Sequence, residues 1–163
     1  MITDYRTATT PIVPAFGGPK SNPHPPGDSP NDFNRVEGAK KVRIIVIDDE
    51  ALIGETVSEI LKSEGFEATA VSSGADAVEL AKILNPDIVL SDVIMPGLNG
   101  IETGIRIREI VPRCKIILFS GQAATVDLLA KAREGGHHFE ILAKPIRPAQ
   151  LISVIRKNTD ALQ

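Results

Sequence analysis

Asp48, Asp49, Asp92, Ser120 and Lys144 are the residues of this sequence whose types and surroundings suit chemistry. Each stands at or just past the end of a short apolar run. Asp48 and Asp49 follow Val-Arg-Ile-Ile-Val-Ile, Asp92 follows Ile-Val-Leu-Ser, Ser120 follows Lys-Ile-Ile-Leu-Phe, and Lys144 follows Phe-Glu-Ile-Leu-Ala. Three carboxylates held close together repel one another and stay ionised only where a cation offsets them. Oxygen ligands in a partly open cluster favour Mg²⁺, which keeps several waters and bridges to phosphate. Lys144 adds a point charge for phosphate, and Ser120 adds a hydroxyl donor. A carboxylate that attacks phosphorus gives an aspartyl phosphate, through a loose transition state that asks mainly for positioning and charge neutralisation.

Every one of these residues also has an ordinary structural use. Asp48-Asp49 suits the amino-terminal cap of a helix. Asp92, ahead of Pro96-Gly97, suits a strand-ending turn. Ser120-Gly121 suits a turn, and Lys144-Pro145 a solvated charge before one. The chemical reading depends on whether the intervening elements bring all five to one edge.

The pattern of the chain does so. Residues 42–47 form a continuous apolar, β-branched run, as in a parallel strand covered on both faces. Leu52, Ile53, Thr56, Val57, Ile60 and Leu61 then recur at helical spacing up to Gly65. A second strand is expected over 67–71. A second helix runs from a Ser72 or Ser73 cap to Leu84, with Ala77, Val78, Leu80, Ala81 and Leu84 inward. The third strand is 88–90 and the third helix 101–111, stopped by Pro112. Strand four is 115–119, helix four 124–134, strand five 139–143, and helix five begins at Pro148, where a missing N–H is harmless. Five strands and five helices in strict alternation predict an α/β fold: a doubly wound five-stranded parallel sheet in the order 2-1-3-4-5. Such sheets bind ligands at the carboxyl ends of their strands.

Composition sets the surrounding bounds. The chain has 163 residues, 42% of them hydrophobic but only 4% aromatic, so its core is aliphatic. Its net charge of −3 argues against nucleic acid as a direct partner. No apolar run is long enough for a membrane helix, no amino-terminal signal pattern is present, and the single cysteine, Cys114, excludes an intrachain disulfide. These features predict a cytoplasmic protein with no membrane partner. Residues 1–40 hold 7 of the 12 prolines and show no periodicity. They are expected to be a disordered proline-rich tail, ahead of a folded domain at 41–160.

Taken in order and spacing, Asp48-Asp49-Glu50, the Asp92-x-x-x-Pro96-Gly97-x-Asn99-Gly100 block, Ser120-Gly121 and Lys144-Pro145 resemble the receiver domain of two-component response regulators, a flavodoxin-like, CheY-like fold. The resemblance covers residues 41–157. It implies that Asp92 is the phosphoacceptor for a sensor histidine kinase or phosphotransfer protein. It implies that Asp49, Asp92 and the backbone carbonyl of Ile94 bind Mg²⁺ directly, with Asp48 acting through water, and that Lys144 contacts the phosphoryl group. It further implies a Ser120 that swings toward that group, a cradle of N–H groups from Val93 and Gly121, and a cis bond before Pro145. Ile94 and Gln122 are the side chains expected to tune the phosphoryl lifetime. Neither offers a general base, so ordinary autodephosphorylation is expected.

The sequence departs from the family at Ile141, the switch position, where an aromatic is usual. Phe139 lies out of phase by two, which sets aromatic switching aside. His137-His138 is expected to be a solvated turn, and Cys114 buried and inert. With 19 residues after Lys144, the chain is expected to act as a stand-alone receiver, not an enzyme in the ordinary sense. It would signal by protein binding through the face of helix four, strand five and helix five, or by phosphorelay. Two other readings share these features. One is a receiver-like module that is never phosphorylated, against which Asp92, Asp49 and Lys144 all stand. The other is a haloacid-dehalogenase-like phosphatase, which needs Asp-x-Asp after the first strand, where this chain has Glu50.

Overall fold

A computed structural model describes residues 40–121 and 125–160. Residues 1–39 of the expected tail and Gln122 lie outside the described residues. The elements are β1 (Arg43–Ile47), α1 (Ala51–Ser63), β2 (Glu67–Val71), α2 (Gly74–Leu84), β3 (Ile88–Asp92), α3 (Gly100–Ile110), β4 (Lys115–Ser120), α4 (Thr125–Glu134), β5 (Glu140–Ala143) and α5 (Pro148–Asp160). The strands form one parallel sheet in the order β2-β1-β3-β4-β5, as expected.

Alternation along the strands divides the core into two layers. Ile45, Ile47, Val89, Ile116 and Leu118 face α2, α3 and α4, meeting Ala77, Ala81, Ile101, Ile107 and Ala132. Ile44, Val46, Ile88, Leu90, Ile117, Phe119 and Leu142 face the other way, onto Leu61 of α1 and Leu151 and Ile155 of α5. Local signals set the helix ends. The Ser73 hydroxyl accepts the Asp76 N–H at 3.1 Å, so Ser73 is the cap of α2. Asn99 and Glu102 form a reciprocal capping box at the start of α3. Asn85 takes φ 47° to end α2 just before Pro86.

Two expectations change. The hydrophobic spacing of the first helix points Leu52 and Ile53 inward, yet they are 76% and 39% exposed. The face of α1 that meets the sheet consists of Gly54, Ser58 and Leu61. Ser58 is accommodated there because its hydroxyl donates to the Ala68 carbonyl at 3.1 Å, which removes the penalty for burying it. The fifth strand starts at Glu140, not Phe139. The Phe139 ring packs toward α3, where a side chain on Gly104 would lie 3.1 Å from it. The Arg108 guanidinium covers that ring at 4.7 Å and donates to the His138 carbonyl at 2.9 Å. The aromatic that the switch position lacks is therefore committed to the α3 side of the sheet.

Candidate functional site

β1 ends at Ile47, and Asp48 and Asp49 follow before α1 begins. Asp48 turns inward and is 2% exposed, whereas Asp49 stays exposed. Glu50, not the aspartate pair, is the amino-terminal cap of α1. One Asp48 oxygen, Oδ1, accepts the Glu50 N–H at 3.0 Å. The other, Oδ2, is buried without a hydrogen-bond partner. Burial holds the Asp48 carboxyl above the usual range. The Glu50 N–H and the Lys144 charge pull it back down, and the charges of Asp92 and Asp49 add to the rise.

Asp92 is the last residue of β3. Its backbone is fixed from behind: the Gly100 N–H donates to the Val93 carbonyl at 2.9 Å, and α3 starts so close that only glycine fits at position 100. A side-chain carbon there would sit 2.1 Å from the Asp92 carbonyl oxygen. Lys144 arrives from the end of β5, its N–H bonded to the Ser120 carbonyl at 2.8 Å. Its ammonium donates to Asp92 Oδ2 at 3.0 Å and lies 3.8 Å from Asp48 Oδ2. The Lys144–Pro145 peptide is cis. Gly121 runs beside the lysine stem, with room for a side-chain carbon only 3.3 Å from Lys144 Cβ.

The structure brings Asp48, Asp49 and Asp92 together, with one carboxylate oxygen from each inside a 4.8 Å cluster. Among the described residues this is the one such group of metal-capable side chains found, and His137-His138 belongs to none. The donor set fits Mg²⁺: the oxygens are hard, and the bare, buried Asp48 Oδ2 has Lys144 too far away for a hydrogen bond.

Ile94 is 44% exposed. Ile141 is half-buried in β5, in register with Leu118. The expected cradle changes at one point. The Val93 N–H donates to the Phe119 carbonyl at 3.1 Å, because the β3–β4 ladder continues one residue past Asp92. That N–H is engaged in the sheet and does not face a ligand. A residue absent from the expected set also enters: the Ser120 hydroxyl is hydrogen-bonded to the hydroxyl of Thr125, the first residue of α4. The signal in the sequence was a second hydroxyl five residues after the strand-end serine, at the start of a helix.

Cys114 lies in the core, 3% exposed, and burial pushes its thiol up to about 12. A disulfide reagent at pH 8 is expected to leave the native protein unmodified and to react with one thiol per chain in denaturant. Labelling of the native state at the denatured rate would show that the thiol is accessible.

A metal-capable acidic cluster beside a lysine, at the carboxyl edge of a 2-1-3-4-5 sheet, marks a receiver-type signalling module. The response regulator receiver domain family matches residues 44–156, and the chain belongs to that family. It is 32% identical to the chemotaxis protein CheY of Thermotoga maritima over 116 residues, 71% of this chain and 95% of that protein. It is 31% identical to the DNA-binding response regulator MtrA of Mycolicibacterium paratuberculosis over 114 residues, 70% of this chain and 49% of that protein. The chain thus spans about half the length of the MtrA relatives it matches. Among solved structures, a receiver domain protein of Clostridium thermocellum superposes with a TM-score of 0.67 at 28% identity, covering 74% of this chain and 95% of its own. A receiver protein of Sinorhizobium medicae superposes with a TM-score of 0.65 at 33% identity, covering 76% and 98%. Receiver domains are signalling domains rather than classical enzymes. They interact with histidine kinases or phosphotransfer proteins and bind Mg²⁺ at an acidic pocket. No helix among the described residues is long and apolar enough to cross a membrane.

Proposed function

We propose that Asp92 accepts a phosphoryl group from the phosphohistidine of a sensor histidine kinase or phosphotransfer protein, and that a protein partner reads the result or takes the group onward. The observation that carries this reading is the Lys144 ammonium 3.0 Å from Asp92 Oδ2 beside the Asp48–Asp49–Asp92 cluster. A carboxylate oxygen of Asp92 forms the new bond to phosphorus as the phosphorus–nitrogen bond of the donor breaks, and the electron pair leaves with the imidazole. Lys144 stays ion-paired with the acceptor side and follows the developing charge onto the phosphoryl oxygens. Asp48, Asp49, Asp92 and the carbonyl of Ile94 would hold Mg²⁺, which supplies the remaining positive charge. The Gly121 N–H offers one cradle donor. With Val93 engaged, the next N–H along the chain, that of Ile94, replaces it. Neither Ile94 nor Gln122 carries a general base that would activate water, so ordinary autodephosphorylation is expected. Readout falls to α4, β5 and α5, where Val126 is 63% exposed.

Mass spectrometry after incubation with phosphoramidate tests this. A Mg²⁺-dependent adduct of one phosphoryl group, labile to alkali, is expected on the wild type and absent from Asp92→Asn. An adduct that persists in the variant would place the acceptor elsewhere. No adduct on the wild type would favour the unphosphorylated interaction module.

A further inference from the structure

The Ser120–Thr125 hydroxyl pair joins the end of β4 to the first turn of α4. Thr125 is 2% exposed, and the buried residues of α4 are Thr125 and Ala132. Ser120 has little freedom of its own. Its carbonyl is bonded to the Lys144 N–H at 2.8 Å, and it pairs with Ala143 in the sheet. Its response to a change at Asp92 is therefore confined to rotation of the hydroxyl about χ1. A serine hydroxyl has one proton to donate. Either hydroxyl can be the donor of this bond; with Ser120 donating to Thr125, its proton is not available to a phosphoryl oxygen. The switch position holds the aliphatic Ile141, and the nearby aromatic Phe139 is held under Arg108.

We propose that Thr125 is a positioning residue for the phosphoryl site. It latches the Ser120 hydroxyl in the unphosphorylated protein, and capture of that hydroxyl by the phosphoryl group on Asp92 detaches the first turn of α4. This rests on the phosphoacceptor reading of Asp92 and on the Ser120 movement that the receiver resemblance implies, and adds to them Thr125 as the partner that holds the Ser120 hydroxyl beforehand. The latch competes with phosphoryl binding, so removing it strengthens that binding and uncouples the helix.

The test uses the full chain with Mg²⁺ and beryllofluoride, a phosphoryl mimic that binds an aspartate carboxylate. Thr125→Val keeps the branched shape and removes the hydroxyl; Thr125→Ser keeps the hydroxyl. In the wild type, beryllofluoride is expected to speed amide hydrogen exchange over residues 128–131, whose N–H groups bond to carbonyls of the first turn. In Thr125→Val the same amides exchange fast without it and do not respond to it. The mimic binds that variant about fivefold more tightly, the worth of one hydrogen bond no longer broken. Thr125→Ser behaves as the wild type. A Thr125→Val protein with wild-type affinity, with weaker affinity, or with an intact response in α4 overturns the latch while leaving the Asp92 reading in place. A wild type that binds no beryllofluoride in Mg²⁺ overturns both.

Discussion

Gly100→Ala is expected to destabilise the protein by about 3 kcal/mol and to slow phosphoryl acceptance on the order of a hundredfold. The new carbon would lie 2.1 Å from the Asp92 carbonyl oxygen and 2.9 Å from both the Asp92 carbonyl carbon and Ser91 Oγ. Two of these three atoms are backbone and cannot rotate away. Relief requires β3 and α3 to part, and Asp92 moves with β3. A displacement of roughly 1 Å at a reacting group lowers its rate on the order of a hundredfold. Gly54→Ala is the control. There the new carbon meets Asp48 Cβ at 3.6 Å and Ala70 Cβ at 3.7 Å, ordinary contact, and alanine in a helix interior gains about 0.5–1 kcal/mol over glycine. Urea midpoints that fall equally in both variants would show that the crowding at Gly100 is not what matters.

Asp48→Asn is expected to stabilise the metal-free protein by about 1 kcal/mol while removing most of its thermal response to Mg²⁺. Asp48 is buried, one of its oxygens is bare, and it faces two other carboxylates. Burial raises its pKa in the folded state, so the neutral form contributes stability. That contribution is fully present below the unfolded carboxyl range near about 3.9 and is lost as pH rises through the raised folded value. The amide never ionises, so the advantage of the variant widens from acidic to neutral pH. In the wild type, Mg²⁺ at a hundred times its dissociation constant restores about 2.7 kcal/mol. Melting curves at two pH values, with and without Mg²⁺, separate the terms. A variant less stable than the wild type without metal, or one that gains as much from Mg²⁺, contradicts the assignment.

Much of this was legible in the sequence, because the periodicities of strand and helix are strong where the core is aliphatic. Residues 88–90 and 115–119 announce buried parallel strands, and Asn99 with Glu102 announces a helix start. Five alternating units then bring the ends of β1, β3, β4 and β5 to one edge, and with them Asp48, Asp92, Ser120 and Lys144. What escaped was decided by small or polar residues in the core. The inner face of α1 is Gly54 and Ser58, which a count of apolar residues passes over in favour of Leu52 and Ile53. Phe139 leaves the strand because Gly104, far away in sequence, makes room for its ring. The Val93 N–H is engaged because the ladder outlasts the apolar run. Thr125 is visible only once the start of α4 is set against Ser120.

The order of the strands in the sheet bears on how the site is completed. β1 and β3, adjacent in the sheet, place Asp48, Asp49 and Asp92 at one edge, but Lys144 belongs to β5, the far edge strand and the last in sequence. A chain cut short before β5 would keep all three carboxylates but lose the Lys144 ammonium that the fold sets against Asp92 and Asp48. The acceptor and its counter-charge are thus supplied by distant parts of the domain's sequence, and only the completed sheet unites them.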